Sequence, residues 1–116
     1  MDWLTIESLT DIEKAVEDSY MESKKAVILF KHSTRCSISS TAKFRLENTL
    51  KSNPDFIVYY LDLLNNRALS NYLAERFDVR HESPQAIVLK NGKCIYHASH
   101  LSISINDIEE SLQQGV

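Results

Sequence analysis

The sequence predicts an α/β fold with a mixed central sheet and helices on both of its faces. Apolar runs typical of buried strands alternate with segments of helical spacing through the first two thirds of the chain. Two further apolar runs then meet across Asn91-Gly92, a strong hairpin signal, because both central positions of a type I′ turn need positive φ. The 116 residues contain no repeat or low-complexity linker, so residues 1–116 are predicted to form one domain.

The first part of the chain is predicted to form a strand, a helix and a second strand. Residues 3–6 are the first strand, and Thr10 with Glu13 forms a capping box that opens the helix. The apolar run 26–30 is typical of a strand buried on both faces. Helical spacing places four residues on the inward face of the helix: Ile12, Ala15, Val16 and Tyr20.

The remaining elements follow the same alternation and end in the hairpin. Residues 42–50 and 68–77 have helical spacing, and residues 56–63 are rich in β-branched and aromatic side chains, as in a central strand. Residues 86–89 and 94–96 form the hairpin, and a last helix opens at 104–107. The expected core contacts of these helices are Phe44, Leu46, Leu50, Leu69, Tyr72, Leu73, Phe77, Ile108 and Leu112. The predicted order is β-α-β-α-β-α-β-β-α.

Composition narrows the class of protein. Apolar residues make up 43% and charged residues 25% of the chain, as in ordinary globular domains. A net charge of −3 argues against a nucleic-acid partner. The start of the chain has no pattern of a signal peptide, and no apolar run is long enough to span a membrane. With only two cysteines, a reducing cytoplasmic location is expected.

Cys36 is the candidate reactive residue. It follows a buried strand and a polar turn, and it directly precedes a predicted helix. Free amides and the dipole at a helix start favour a thiolate, and cysteines so placed have pKa values lowered from about 8.5 to roughly 3.5–7.5. Lys31, His32 and Arg35 add positive charge nearby in sequence. A buried structural cysteine is the alternative interpretation.

The residues around Cys36 resemble the thioredoxin and glutaredoxin superfamily. The resemblance is carried by Cys36-Ser37-Ile38-Ser39 between a strand and a helix, and by Ser83-Pro84 before a later strand. It implies a thioredoxin-like fold, a cis Pro84 against the reactive cysteine, and a Ser83 backbone that pairs with a bound thiol. Ser39 stands where dithiol relatives carry a resolving cysteine, so its hydroxyl either stabilises the Cys36 thiolate or is a plain helix-start serine. Phe30 stands where thioredoxins place a buried carboxylate, which favours a monothiol.

A narrower resemblance is to the YtxJ-like monothiol bacilliredoxins. It rests on residues 31–39, 79–85 and 97–100, with Ser37 where that family often has proline. It implies a disulfide oxidoreductase in which Cys36 removes bacillithiol, a thiol built from cysteine, glucosamine and malate, from protein mixed disulfides. Bacillithiol is then a co-substrate and no cofactor is needed. The expected partners are S-thiolated client proteins and a flavin disulfide reductase. Arg35, Lys31 or Arg80 is expected to meet the malyl carboxylates.

Other interpretations stay open at this point. An iron–sulfur carrier of the monothiol glutaredoxin kind also has one cysteine, but it has Gly-Phe-Ser after it where this chain has Ser37-Ile38-Ser39. A non-enzymatic interaction module is a second alternative. Cys94, His97 and His100 superficially resemble a zinc motif, although a spacing of three on a strand predicts opposite faces for Cys94 and His97. No metal site is therefore expected. His81 and Glu82 either line the rim of the site or are solvated loop residues.

Overall fold

The predicted order of strands and helices is confirmed. A computed structural model describes residues 3–33, 37–50 and 55–114, with the side chains of Leu101 and Gln114 left aside. The strands are β1 (Leu4–Thr5), β2 (Ala26–His32), β3 (Phe56–Asp62), β4 (Gln85–Lys90) and β5 (Lys93–Ser99). The helices are α1 (Leu9–Asp18), α2 (Ser37–Leu50), α3 (Arg67–Phe77) and α4 (Ile105–Gln114), and a short 3₁₀ helix spans His100–Ser102.

The five strands form one mixed sheet in the order β1-β3-β2-β4-β5. β1 and β2 run parallel to β3, whereas β4 runs antiparallel to both β2 and β5. Every residue of the central strand β2 is buried, as expected for a strand covered on both faces. The carboxyl end of β2, where Lys31 and His32 lie, therefore opens directly into the segment that contains Cys36.

Alternate residues of β2 build two separate cores. Ile28 and Phe30 pack on the face covered by α2 and α4, while Val27 and Leu29 pack on the face covered by α1 and α3. This alternation follows from the period of two along a strand. Lys31 and His32 continue it, so their side chains leave the same strand end on opposite faces of the sheet. Among the described residues, no helix has the length and apolar content needed to cross a bilayer.

The start and the inward face of α1 differ from the prediction. The N-cap is Ser8, whose hydroxyl accepts a hydrogen bond from the Asp11 amide, and the Asp11 carboxylate accepts one from the Glu7 amide at 2.8 Å. The predicted capping box at Thr10 was therefore two residues late. Ile12 and Ala15 are buried as predicted, but Tyr20 is 59% exposed because the helix ends at Asp18.

The face of α2 was predicted correctly except at Phe44. Ala42, Leu46 and Leu50 recur every four residues and are buried, whereas Phe44 is 65% exposed. Two residues of α-helix turn the chain through about 200°, so Phe44 lies opposite Ala42 and Leu46. Phe44 is therefore not a core contact.

The β4–β5 hairpin turns at Asn91 and Gly92, with φ of 53° and 78°, which confirms the predicted turn. A register shift near Val88 and Leu89 adds one residue to β5, so that Cys94 pairs with Leu89 and His97 pairs with Ile87. Both partners pack on the α1 and α3 face. The predicted placement of Cys94 and His97 on opposite faces is thus wrong, because the bulge cancels their odd spacing.

Candidate active site

The two elements that flank the predicted reactive cysteine are both described. β2 ends at His32, Ser33 follows it, and α2 begins at Ser37. Cys36 and Arg35 themselves lie outside the described residues, so their predicted roles remain predictions. Lys31 and His32, at the end of β2, each take part in a polar cluster, and the two clusters lie on opposite faces of the sheet.

The first cluster joins the end of β2 to the first turn of α2. The Ser39 hydroxyl is fully buried, lies 2.6 Å from His32 Nδ1 and accepts a hydrogen bond from the Ser33 amide at 3.0 Å. Ser39 thus ties together the two ends of the segment that carries Cys36. Its hydroxyl has a definite structural partner, which a plain helix-start serine facing solvent would lack.

His32 is held in an aromatic and mainly apolar setting. Its ring lies 5.8 Å from the ring of Phe30 and 5.4 Å from that of Tyr60. Burial lowers the pKa of His32 and the positive charge of Lys43 lowers it further, against opposing contributions from Asp62 and from a hydrogen bond with the Ser39 backbone. His32 is therefore neutral at pH 7. Whether its Nδ1 donates to Ser39 or accepts from it decides whether the serine hydroxyl is free to donate elsewhere.

The second cluster lies on the α1 and α3 face. Lys31 Nζ is 3.3 Å from His81 Nδ1, and Ser70 Oγ of α3 is 3.1 Å from the same nitrogen. Lys31 and Ser70 have no exposed surface. Burial lowers the pKa of Lys31 from 10.5 to about 8. The buried ammonium of Lys31 contacts His81, and a direct contact of Lys31 with a substrate carboxylate stays a prediction.

The loop before β4 contains the other predicted binding residues. The Ser83–Pro84 peptide bond is cis, as the resemblance to the thioredoxin superfamily implied. Arg80 is exposed, and its carbonyl accepts a hydrogen bond from Gln85 Nε2 at 2.8 Å. Ser83 Oγ and Gln85 Oε1 are buried and have no hydrogen-bond partner within the described part of the chain. The structure thus brings this loop next to the end of β2, through the pairing of Gln85 with Lys31.

Cys94 lies away from both clusters. It is half-buried, and burial raises the pKa of its thiol, which keeps it protonated at pH 7. No three His, Cys, Asp or Glu side chains within residues 3–33, 37–50 and 55–114 come together as a metal-binding group. The pattern of Cys94, His97 and His100 therefore forms no such group.

Sequence reasoning missed the pairing of His32 with Ser39 and the contacts of Ser70. The strand period could have shown that Lys31 and His32 diverge to opposite faces. Ser70 gave no signal, because its contact with His81 depends on how α3 packs over the sheet. The sequence left His81 and Glu82 as either rim residues of the site or solvated loop residues, and His81 is both exposed and hydrogen-bonded.

Comparison with known proteins agrees with this architecture. A profile of the family described as monothiol bacilliredoxin BrxC matches residues 5–108. A solved structure provisionally described as an oxidoreductase with a thioredoxin fold is 30% identical, covers 93% of this chain and 91% of its own, and superposes with a TM-score of 0.80.

Two thioredoxins share the fold at lower identity. The protein from Trypanosoma brucei brucei is 13% identical, with a TM-score of 0.73, and the alignment covers 97% of this chain and 89% of that one. The protein from Fasciola hepatica is 15% identical, with a TM-score of 0.71, over 96% of this chain and 97% of that one.

The mixed sheet, the cis proline loop and these matches define a thiol–disulfide oxidoreductase of the thioredoxin fold. Within that class the chain belongs to the monothiol bacilliredoxin family. The predicted fold, family and enzyme class are thereby confirmed, and the interpretation as a non-enzymatic module is set aside.

Proposed function

We propose that this protein removes bacillithiol from protein mixed disulfides through Cys36. The Cys36 thiolate attacks the bacillithiol sulfur, the protein sulfur leaves as a thiolate, and the disulfide passes to Cys36. A second bacillithiol thiolate then attacks that disulfide, releasing oxidised bacillithiol and the Cys36 thiolate. A flavin disulfide reductase is proposed to reduce the oxidised small thiol. The exchange itself requires no metal or organic cofactor, and we place it in the reducing cytoplasm.

The observation that carries this proposal is the family match over residues 5–108, which includes the Cys36 segment. Ser39 stands where dithiol relatives carry a resolving cysteine, and Cys94 pairs with Leu89 near the start of β2 rather than its end. We therefore infer that the resolving thiol comes from another molecule. That requirement suits a low-molecular-weight thiol. Bacillithiol is the family's named small thiol, and its specific use by this chain is our proposal.

Ser39 and His32 are proposed to tune the Cys36 thiolate. With the Ser33 amide donating to Ser39 Oγ, the hydroxyl hydrogen is free whenever His32 Nδ1 is also a donor. In that form Ser39 donates to the thiolate and lowers the pKa of Cys36. Ser39→Ala should raise the midpoint of the pH–alkylation profile of Cys36, whereas Ser40→Ala, an exposed neighbour on the same helix, should leave it unchanged.

The function is tested with one client protein that carries either bacillithiol or glutathione as its mixed disulfide. Intact-mass analysis in a Cys94→Ala background should show the small thiol transferred to Cys36, at least about tenfold faster from bacillithiol, a ratio that needs only about 1.4 kcal/mol. Cys36→Ser is the blank. Equal rates for the two thiols would remove the bacillithiol assignment, and transfer that survives in Cys36→Ser would remove the role of Cys36.

A further inference from the structure

The cluster of Lys31, Ser70 and His81 is not used by the exchange chemistry described so far. Lys31 is the last residue but one of β2, Ser70 belongs to the first turn of α3, and His81 lies in the loop before β4. Two of the three side chains are fully buried, and the third is exposed. Burying an ammonium group costs desolvation free energy, and its contact with one exposed imidazole offsets only part of that cost. We therefore looked for a functional role of this cluster.

The ammonium of Lys31 fixes the tautomer of His81. A lysine ammonium has three donor hydrogens and no acceptor, so His81 Nδ1 must accept at the 3.3 Å contact. The ring hydrogen of neutral His81 then lies on Nε2. Nδ1 contacts two fully buried residues while the His81 side chain as a whole is exposed, and from this we infer that the Nε2–H edge of the ring faces outward.

The charges around His81 keep the ring neutral and the surroundings positive. Burial lowers the pKa of His81, and the positive charges of Lys31 and Arg67 lower it further. Glu82 opposes them, but its carboxylate accepts a hydrogen bond from Ser99 on β5. His81 therefore presents a neutral N–H donor in a locally positive region, two residues before Ser83.

We propose that His81 recognises a carboxylate of the small thiol taken up by Cys36, and that Lys31 is the residue that positions His81 for this contact. The inference rests on the proposed function and assigns the two residues separate tasks. His81 Nε2–H donates to the ligand carboxylate, whereas Lys31 acts through His81 by holding Nδ1 as an acceptor. No covalent step is involved.

Two substitutions at His81 separate the two edges of its ring. Asparagine places its amide where Nδ1 lies, and glutamine places its amide where Nε2 lies. His81→Asn should raise KM about tenfold for a client carrying bacillithiol, with kcat nearly unchanged, because a ground-state contact is lost. His81→Gln should keep most of the wild-type KM. For the same client carrying cysteamine, which has no carboxylate, neither change should alter KM. His97→Asn, an exposed histidine of β5, is the matched control.

The positioning role of Lys31 has a readout that does not depend on activity. Nitrogen-15 NMR of the free protein should show His81 with an acceptor Nδ1 and a protonated Nε2. In Lys31→Met this preference should weaken, because only Ser70 Oγ then remains to donate to Nδ1, and KM for the bacillithiol client should rise with it. A wild-type His81 protonated on Nδ1 would overturn the positioning role.

Failure of the recognition role and failure of the proposed function give different results. An active His81→Asn that discriminates bacillithiol from cysteamine as well as the wild type overturns the recognition role alone. A wild-type protein that takes up neither small thiol overturns the proposed function, and the role of His81 in it falls as well.

Discussion

Lys31→Met should stabilise the protein at pH 7, because it removes a buried ammonium whose only hydrogen-bonding partner among the described side chains is His81. Burial lowers the pKa of Lys31 from 10.5 in the unfolded chain to about 8 in the native state. That difference corresponds to about 3 kcal/mol at most, at 1.36 kcal/mol per pKa unit. Loss of the contact with His81 returns about 1 kcal/mol of it. A net gain of about 2 kcal/mol in the free energy of unfolding is therefore expected.

The pH dependence of this gain gives the sharper measurement. Between pH 8 and 10.5 the unfolded chain holds the Lys31 proton and the native state does not, so wild-type stability rises with pH through this burial effect. The advantage of Lys31→Met should be complete below pH 8 and should shrink toward pH 10.5. Urea denaturation across this pH range measures the stability difference between the two proteins. The pKa of Tyr59 is also raised in the native state, but its titration affects both proteins alike and cancels in the difference.

Lys93→Met, at the exposed start of β5, is the control and should show no such trend. An advantage of Lys31→Met that stays constant from pH 8 to 10.5 would contradict the buried ammonium. A wild type more stable than the variant at pH 7 would contradict the expected sign of the effect.

Two further predictions concern packing and the turn. Leu46→Ala should reduce the free energy of unfolding by about 2–5 kcal/mol, because Leu46 is buried, and Phe44→Ala should reduce it by less than about 0.5 kcal/mol, because Phe44 is exposed. Urea denaturation measures both losses. Equal losses would place Phe44 in the core. Gly92→Ala should cost about 1 kcal/mol or more, since its φ is +78° and an added Cβ would overlap the Tyr20 hydroxyl. The loss should persist in a Tyr20→Ala background, and full stability there would show that the turn accepts a side chain without strain.

The fold followed from local patterns, and its errors have local causes. Strand runs, helical spacing and the Asn91-Gly92 turn each act within a few residues, so the element order could be predicted. Ser8 and Thr10 offer overlapping capping patterns, and only the entry geometry of α1 selects Ser8. The bulge that places Cys94 and His97 on one face contains no glycine or proline that could have predicted it from the sequence. Such a one-residue insertion reverses every facing argument beyond it.

The site was less predictable because its contacts join distant parts of the chain. Cys36 was predicted from its position before a helix, and the cis Pro84 was predicted from the resemblance to the thioredoxin superfamily. The contact of Lys31 with His81 requires β4 to lie beside β2, and the contact of Ser70 with His81 requires α3 above that pair. Residue spacing within a single strand or helix predicts neither of these arrangements. The sequence placed the positive charge of Lys31 near Cys36, but it gave no sign that the Lys31 side chain is buried.

A buried lysine that lowers stability is expected to persist only where it serves another purpose. In the proposed arrangement that purpose is the orientation of His81, since an ammonium can only donate and so holds Nδ1 as an acceptor. Lys31→Met should then move two properties in opposite directions, raising the free energy of unfolding at pH 7 while weakening discrimination of carboxylate-bearing thiols. A variant that is more stable and discriminates unchanged would mean that Lys31 has no part in recognition. A variant that is less stable would mean that the ammonium has stabilising partners beyond His81.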